Sequence, residues 1–154
     1  MSEPTETRDP LALEHQVCFA LSVAARSVVA AYRPLLEPLG LTHPQYLVML
    51  ALWQRTPLSV RQLSEMLQLD PGTLSPLLKR LEAIGYLRRE RDRADERNLA
   101  ITLTPSGRAL RSRAEQIPPA VIERLGMPIE ELEHLHAALT QVIAAARPVT
   151  ATPS

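Results

Sequence analysis

The stretch Leu69-Asp-Pro-Gly-Thr-Leu-Ser-Pro-Leu-Leu-Lys-Arg-Leu-Glu-Ala-Ile-Gly85 decides the fold. Pro71 stands at a helix start, where a missing N–H costs nothing. Leu74, Leu77, Leu78, Leu81 and Ile84 recur at helical spacing and predict a buried stripe over residues 71–84. Gly85 is the expected stop, because glycine takes the left-handed conformation there without a steric cost.

Outward from this helix, Tyr86 to Arg91 and Asn98 to Thr102 can pair as strands across a tip at 92–97. Leu99, Ile101 and Leu103 alternate with Ala100 and Thr102, the period of a half-buried strand. Thr104-Pro105 opens a helix over 105–116, which Pro118-Pro119 is expected to interrupt. Upstream, Gln68-Leu69-Asp70 makes a turn, and Ser59 caps a short helix whose apolar positions are Leu63, Met66 and Leu67. Thr42, with Pro44 in the first turn, starts a helix carrying Tyr46, Leu47, Leu50 and Trp53, and Thr56-Pro57 breaks it. A long first helix has spacing that begins near Leu13 and runs through Val17, Leu21, Val28, Tyr32 and Leu35 to a close at Leu39-Gly40. A last one spans about 129–146 through Leu132, Leu135, Leu139, Val142 and Ile143. Helix, turn, helix, strand, tip, strand, helix is the order of a winged helix-turn-helix, so the expected class is mainly α and the expected partner is double-stranded DNA.

Bulk properties agree. The chain has 154 residues, enough for one domain with a real core, and 45% of them are hydrophobic. Aromatics are only 3% and there are five glycines, which leans towards helix. Seventeen basic residues balance seventeen acidic ones, so a polybasic coat is excluded and any DNA-binding surface must be local. No apolar run approaches the roughly 20 residues of a membrane span, and Met1 to Pro10 lacks a signal-peptide core. A lone cysteine cannot form an internal disulfide. A soluble cytoplasmic protein without membrane partner or cofactor is expected. Residues 1–10 and 148–154 read as flexible tails around a single domain at 11–147, with the winged unit at about 42–104.

On helix 71–84 the apolar stripe leaves Thr73, Ser75, Pro76, Lys79 and Arg80 on the other side. A helix of about three turns fits the major groove, where hydroxyls and cations reach base edges and phosphates. The tip reads Arg91-Asp-Arg-Ala-Asp-Glu-Arg97. An arginine on such a tip, Arg93 or Arg97, can enter the narrow minor groove, with Asp95 placed to hold the Arg97 guanidinium. From Lys79 to Arg97 seven basic residues stand against five acidic, so the cations must be sorted to one side. Taken singly, a charged tip is as readily a solvated one; the ordered block carries the reading.

Residues 13–107 resemble the MarR family of winged-helix repressors, and more narrowly its organic-hydroperoxide-sensing regulators, the OhrR group. The resemblance is carried by Leu13-Glu-His-Gln-Val-Cys-Phe19, Tyr32-Arg-Pro-Leu-Leu36, Pro44-Gln-Tyr46, Leu69 to Lys79 and Asp95-Glu-Arg97. It implies a homodimer on a near-palindromic operator. Dimerisation helices would lie at about 11–38 and 105–147, with Thr73, Ser75, Pro76 and Lys79 on the recognition helix and Arg97 in the wing. It also implies that Cys18 is a redox sensor of the one-cysteine type: an organic hydroperoxide oxidises it to a sulfenate, a small cellular thiol caps the sulfenate, and the operator is released.

A sensing cysteine needs a stabilised anion and access for the oxidant. Tyr32 is a candidate donor, yet fourteen residues of straight helix are about 21 Å. Tyr32 and Cys18 can therefore meet only across two antiparallel copies. Relatives commonly carry tyrosines where this chain has Ser22 and His43, so Ser22, His43 and Tyr32 are the candidate donors here. His15, one turn before Cys18, reads as a solvated surface residue. Without the resemblance, Cys18 is an ordinary small core residue. Two other functions stay open. One is a repressor released by a reversible small aromatic ligand. The other is a thiol peroxidase, although His15, His43, His134 and His136 form no ligand set, and the chain is read as no enzyme.

Overall fold

Leu13–His15 is a single 3-10 turn, separate from the long helix. At Gln16 the backbone is extended, and its side-chain amide donates to the carbonyls of Pro10 (2.8 Å) and Ala12 (3.2 Å). These bonds hold Gln16 out of helical geometry, so α1 starts at Val17 rather than near Leu13 and runs to Leu36. The computed structural model describes residues 9–91 and 99–147; most of both expected tails and the hairpin tip with Arg93, Asp95 and Arg97 lie outside them.

Helix α1 buries only Leu36, and Val17, Phe19, Val23 and Val29 are exposed along it. Together with the short turn Glu37–Leu39 it is long and apolar enough, by length and composition, to cross a membrane. This corrects the expectation that no apolar run reaches that length. Arg26 and Arg33 interrupt the run, but the alanines and valines around them outweigh two charges.

Helix α2 (His43–Gln54) follows Gly40, which takes φ 72. Thr42 and Gln45 form a reciprocal capping box: the Gln45 N–H donates to Thr42 Oγ1 and the Thr42 N–H to Gln45 Oε1. Ser59 and Gln62 repeat the device at α3 (Val60–Leu67). Between them lies the two-residue strand β1 (Leu58–Ser59). Gln68, at φ 54, turns the chain into α4 (Pro71–Ile84), whose Asp70 cap accepts the Thr73 N–H at 2.6 Å. Hydrogen bonding from Thr73, its side chain first and its backbone N–H second, holds the Asp70 carboxyl below its ordinary range.

Gly85 ends α4 at φ 96. Strands β2 (Leu87–Arg91) and β3 (Leu99–Leu103) pair antiparallel with Leu87 opposite Leu103 and Arg91 opposite Leu99. β1 adds to the other side of β3, giving the order β1-β3-β2. Leu39, Val48, Met49, Leu52, Leu58, Leu63, Leu74, Leu78, Leu81, Leu87 and Ile101 fill the core beneath. Helix α5 (Pro105–Ala114) is capped by Thr104, whose hydroxyl also donates to the Gly85 carbonyl.

The chain divides into two compact units, Met1–Ile117 and Pro118–Ser154. The second contains most of α6 (Ile117–Leu125) and all of α7 (Ile129–Ala146). Helix α5 ends at Ala114, short of Pro118-Pro119, as the sequence reading expects; the helix α6 that the two prolines open is not in that reading. Both prolines stand in the first turn, where no N–H is required, so they begin a helix rather than end one. Helix α7 buries none of its residues.

Candidate nucleic-acid interface and cysteine site

Helix α4 turns Leu74, Leu78 and Leu81 inward and leaves Thr73, Pro76, Lys79 and Arg80 exposed, with Ser75 half-buried among them. Ile84 departs from the expected stripe: it is 45% exposed, being the last helical residue where the chain already swings into Gly85. Leu77 is half-buried. On β2, Arg88 and Arg91 are exposed. Arg89 is different. Its guanidinium sits on the Glu82 carboxylate, Nη2 to Oε1 at 3.0 Å, and its backbone N–H donates to Glu82 Oε2 at 3.0 Å. Arg89 is thus taken out of the seven-cation count, and its hydrogen bonds hold the Glu82 carboxyl below the usual range. No described acidic side chain makes an ion pair with Lys79, Arg80, Arg88 or Arg91.

The platform under this face is tied together by hydrogen bonds between elements far apart in sequence. The Tyr86 hydroxyl donates to the Leu39 carbonyl at 2.7 Å, and the Trp53 indole N–H to the Gly107 carbonyl at 2.9 Å. An added Cβ on Gly107 would collide with the Tyr86 carbonyl oxygen. Glycine therefore permits α5 to lie against the root of the wing.

Cys18 is exposed and is the second residue of α1. Because α1 starts at Val17, Cys18 is a residue of its first turn. The Ser22 hydroxyl does not serve the sulfur: it donates to the Cys18 carbonyl oxygen at 2.9 Å, the common back-bond of a helical serine. Tyr32 stands fourteen residues on, about 40° round the helix from Cys18, so the two share one face.

Tyr32 and His43 come together. Their ring centroids are 4.9 Å apart, edge to face, across the α1–α2 junction. Tyr46, which sequence reasoning quoted within a motif but did not assign to the site, joins them at 5.7 Å from Tyr32 and 6.3 Å from His43. Its place one turn after His43 on α2 was the available signal. Burial raises the Tyr32 and Tyr46 hydroxyls and lowers His43, and Tyr32 also raises Tyr46. Beside the cluster, Val29, Arg33, Leu36, Leu41 and His43 help line a cavity of about 370 Å³.

A capped helix with an exposed polar and cationic face, leading through a glycine stop into a two-stranded wing, defines a winged helix-turn-helix DNA-binding regulator. The MarR family model matches residues 41–99. The chain is 41% identical to the organic hydroperoxide resistance transcriptional regulator of Bacillus subtilis, over 85% of this chain and 89% of that one. It is 50% identical to the HTH-type transcriptional regulator TtmR of Methylorubrum extorquens over 80% of this chain, and the match spans 63% of that longer relative. It also superposes on reduced AbfR bound to DNA, an AbfR structure from Staphylococcus epidermidis being among its relatives, with a TM-score of 0.72 at 34% identity, covering 86% of this chain and 93% of that one. The chain belongs to the MarR family of transcriptional regulators.

Proposed function

We propose that this protein is a homodimeric cytoplasmic repressor that holds a near-palindromic operator and lets it go when an organic hydroperoxide oxidises Cys18. The observation that carries the reading is the placement of Cys18 and Tyr32 on one face of a helix that buries almost nothing of its own. An antiparallel second copy would cover the exposed Val17, Phe19, Val23 and Val29 and would bring each Tyr32 to the other copy's Cys18. The likeness to a hydroperoxide resistance regulator supports the same choice of signal.

The chemistry is a two-step oxidation. The Cys18 thiolate attacks one peroxide oxygen; an S–O bond forms, the O–O bond breaks, the sulfur is oxidised and the peroxide leaves as an alcohol. A small thiol then attacks the protonated sulfenic acid; an S–S bond forms, the S–O bond breaks, and the oxygen leaves as water with the thiol's proton. The Tyr32 hydroxyl and the His43 ring are the groups that would hold the sulfur before attack. The adduct is too large for the helix pair around it, and the two winged units move apart from their operator spacing. Nothing turns over, so the protein is not an enzyme.

A reversible signal is the second reading, and the cavity lined by Val29, Arg33, Glu37, Leu41 and His43 favours it, being largely apolar, bordered by charges of both signs and of a size for a small aromatic ligand. Operator binding by wild type and Cys18→Ser, before and after an organic hydroperoxide with a small thiol, separates the two. Release of wild type alone supports the sensor; release of both, or of neither, sinks it.

A further inference from the structure

β2 is an edge strand, so its outward backbone N–H groups have no neighbouring strand to bond. At Arg89 that open donor is taken by a side chain from α4: the N–H donates to Glu82 Oε2 at 3.0 Å. The Arg89 guanidinium returns to the same carboxylate through Nε, at 3.3 Å from both oxygens, and Nη2 at 3.0 Å from Oε1. Three donors of one residue therefore converge on one carboxylate, and they join the last turn of α4 to the middle of β2. Between the two residues the chain passes through Gly85, at a left-handed φ of 96, whose N–H donates to the Leu81 and Glu82 carbonyls and whose carbonyl accepts the Thr104 hydroxyl; these bonds fix the turn itself, and the fork is the side-chain tie that reaches past it to the middle of β2.

We infer that Glu82 is a positioning residue for DNA binding: it sets the angle between the recognition helix and the wing, so that one can occupy the major groove while the other reaches the minor groove. This goes beyond the proposed sensing and rests only on the DNA-binding reading. A fork of this kind fixes direction as well as distance, because the guanidinium and carboxylate planes must align. The pair is partly exposed, with side chains 26% and 38% accessible, so it adds little to stability; its worth lies in geometry. Lys79 and Arg80, two and three residues before Glu82, would be re-aimed by the same rotation that displaces the wing.

The test is a double-mutant cycle on operator DNA using the full-length protein, with Glu82→Ala, Arg97→Ala and their combination. If Glu82 positions the wing, Glu82→Ala weakens operator binding about ten-fold, and Arg97→Ala costs at least about five-fold less in the Glu82→Ala background than in wild type. Affinity for random-sequence DNA falls by less than operator affinity, and the far-ultraviolet spectrum stays unchanged. Additive costs for the two substitutions would overturn the inference, as would equal losses on operator and random DNA. Should Glu82→Ala fail to fold, Glu82→Gln serves the same cycle. The amide keeps an acceptor for the Arg89 N–H but loses the charge-assisted fork, so a smaller coupling of the same sign is expected, and additivity again refutes it.

Discussion

The indole N–H of Trp53 donates to the carbonyl of Gly107 at 2.9 Å, and it does so where α5 lies against Tyr86 at the root of the wing. The Tyr86 carbonyl oxygen occupies the space that a side chain at 107 would need. The same carbonyl accepts the Thr104 N–H, so it cannot retreat without breaking the cap of α5. Gly107→Ala should therefore destabilise by about 1–3 kcal/mol. Trp53→Phe, which replaces the indole by a smaller ring and loses the donor, should cost about 1–3 kcal/mol. Urea unfolding followed by circular dichroism checks both, and a Gly107→Ala protein as stable as wild type would contradict the packing described.

The helix-helix register has a direct chemical test. Cys18 and position 32 of one chain are about 21 Å apart along α1, too far for a disulfide. Tyr32→Cys, oxidised mildly with diamide, should give a covalent dimer on a non-reducing gel in high yield, because each new thiol would face the other copy's Cys18. Monomer under the same conditions would exclude the antiparallel arrangement.

Ser22 and Tyr32 should behave differently, although both share helix α1 with Cys18. The Ser22 hydroxyl is spent on the Cys18 carbonyl, so Ser22→Ala should leave the rate of Cys18 oxidation unchanged. Tyr32→Phe removes a hydroxyl the proposal assigns to the sulfur and should slow it. Stopped-flow loss of thiol under excess organic hydroperoxide measures both. A large effect of Ser22→Ala with none of Tyr32→Phe would reverse the assignment.

His43 gives the fold an acid-side weakness. Burial lowers its pKa below the ordinary 6.5, so in the unfolded chain it takes a proton at a higher pH than in the folded one. Stability is unaffected by this group above about 6.5, falls as the pH drops from there towards the lowered folded value, and levels off below it. His43→Phe should flatten that limb of the stability profile. An unchanged limb would mean that other groups cause it.

Lys79 has no described ionic partner and stands on the exposed side of α4. If it contacts a phosphate, Lys79→Ala should weaken binding to operator and random DNA alike and reduce the slope of log affinity against log salt by about 1. A loss confined to the operator would instead make it a base reader.

Much of this architecture was legible because it is local. Pro71, Asp70 and Gly85 encode the ends of α4 within the helix itself, and the alternation of Leu99, Ile101 and Leu103 encodes β3. The illegible parts depend on side chains acting at a distance. Gln16 breaks the first helix by bonding back to Pro10 and Ala12, which no periodicity reveals. Pro118 and Pro119 carry the same chemistry at a helix start as at a helix end, and position alone distinguishes the two. At the site, Tyr32 and His43 were expected from the resemblance. Tyr46 emerged only when α1 and α2 were seen packed, and Arg89 left the cationic face only when Glu82 was seen beneath it.

The central claim is that oxidation of Cys18 releases DNA. It is tested most directly by titrating the protein onto its own upstream DNA before and after a small dose of an organic hydroperoxide with a low-molecular-weight thiol, and taking intact mass on the same samples. The account predicts that binding is lost in step with the appearance of one thiol adduct per chain, located on Cys18. Tight binding by fully adducted protein would contradict it and turn attention to a reversible ligand in the cavity beside His43.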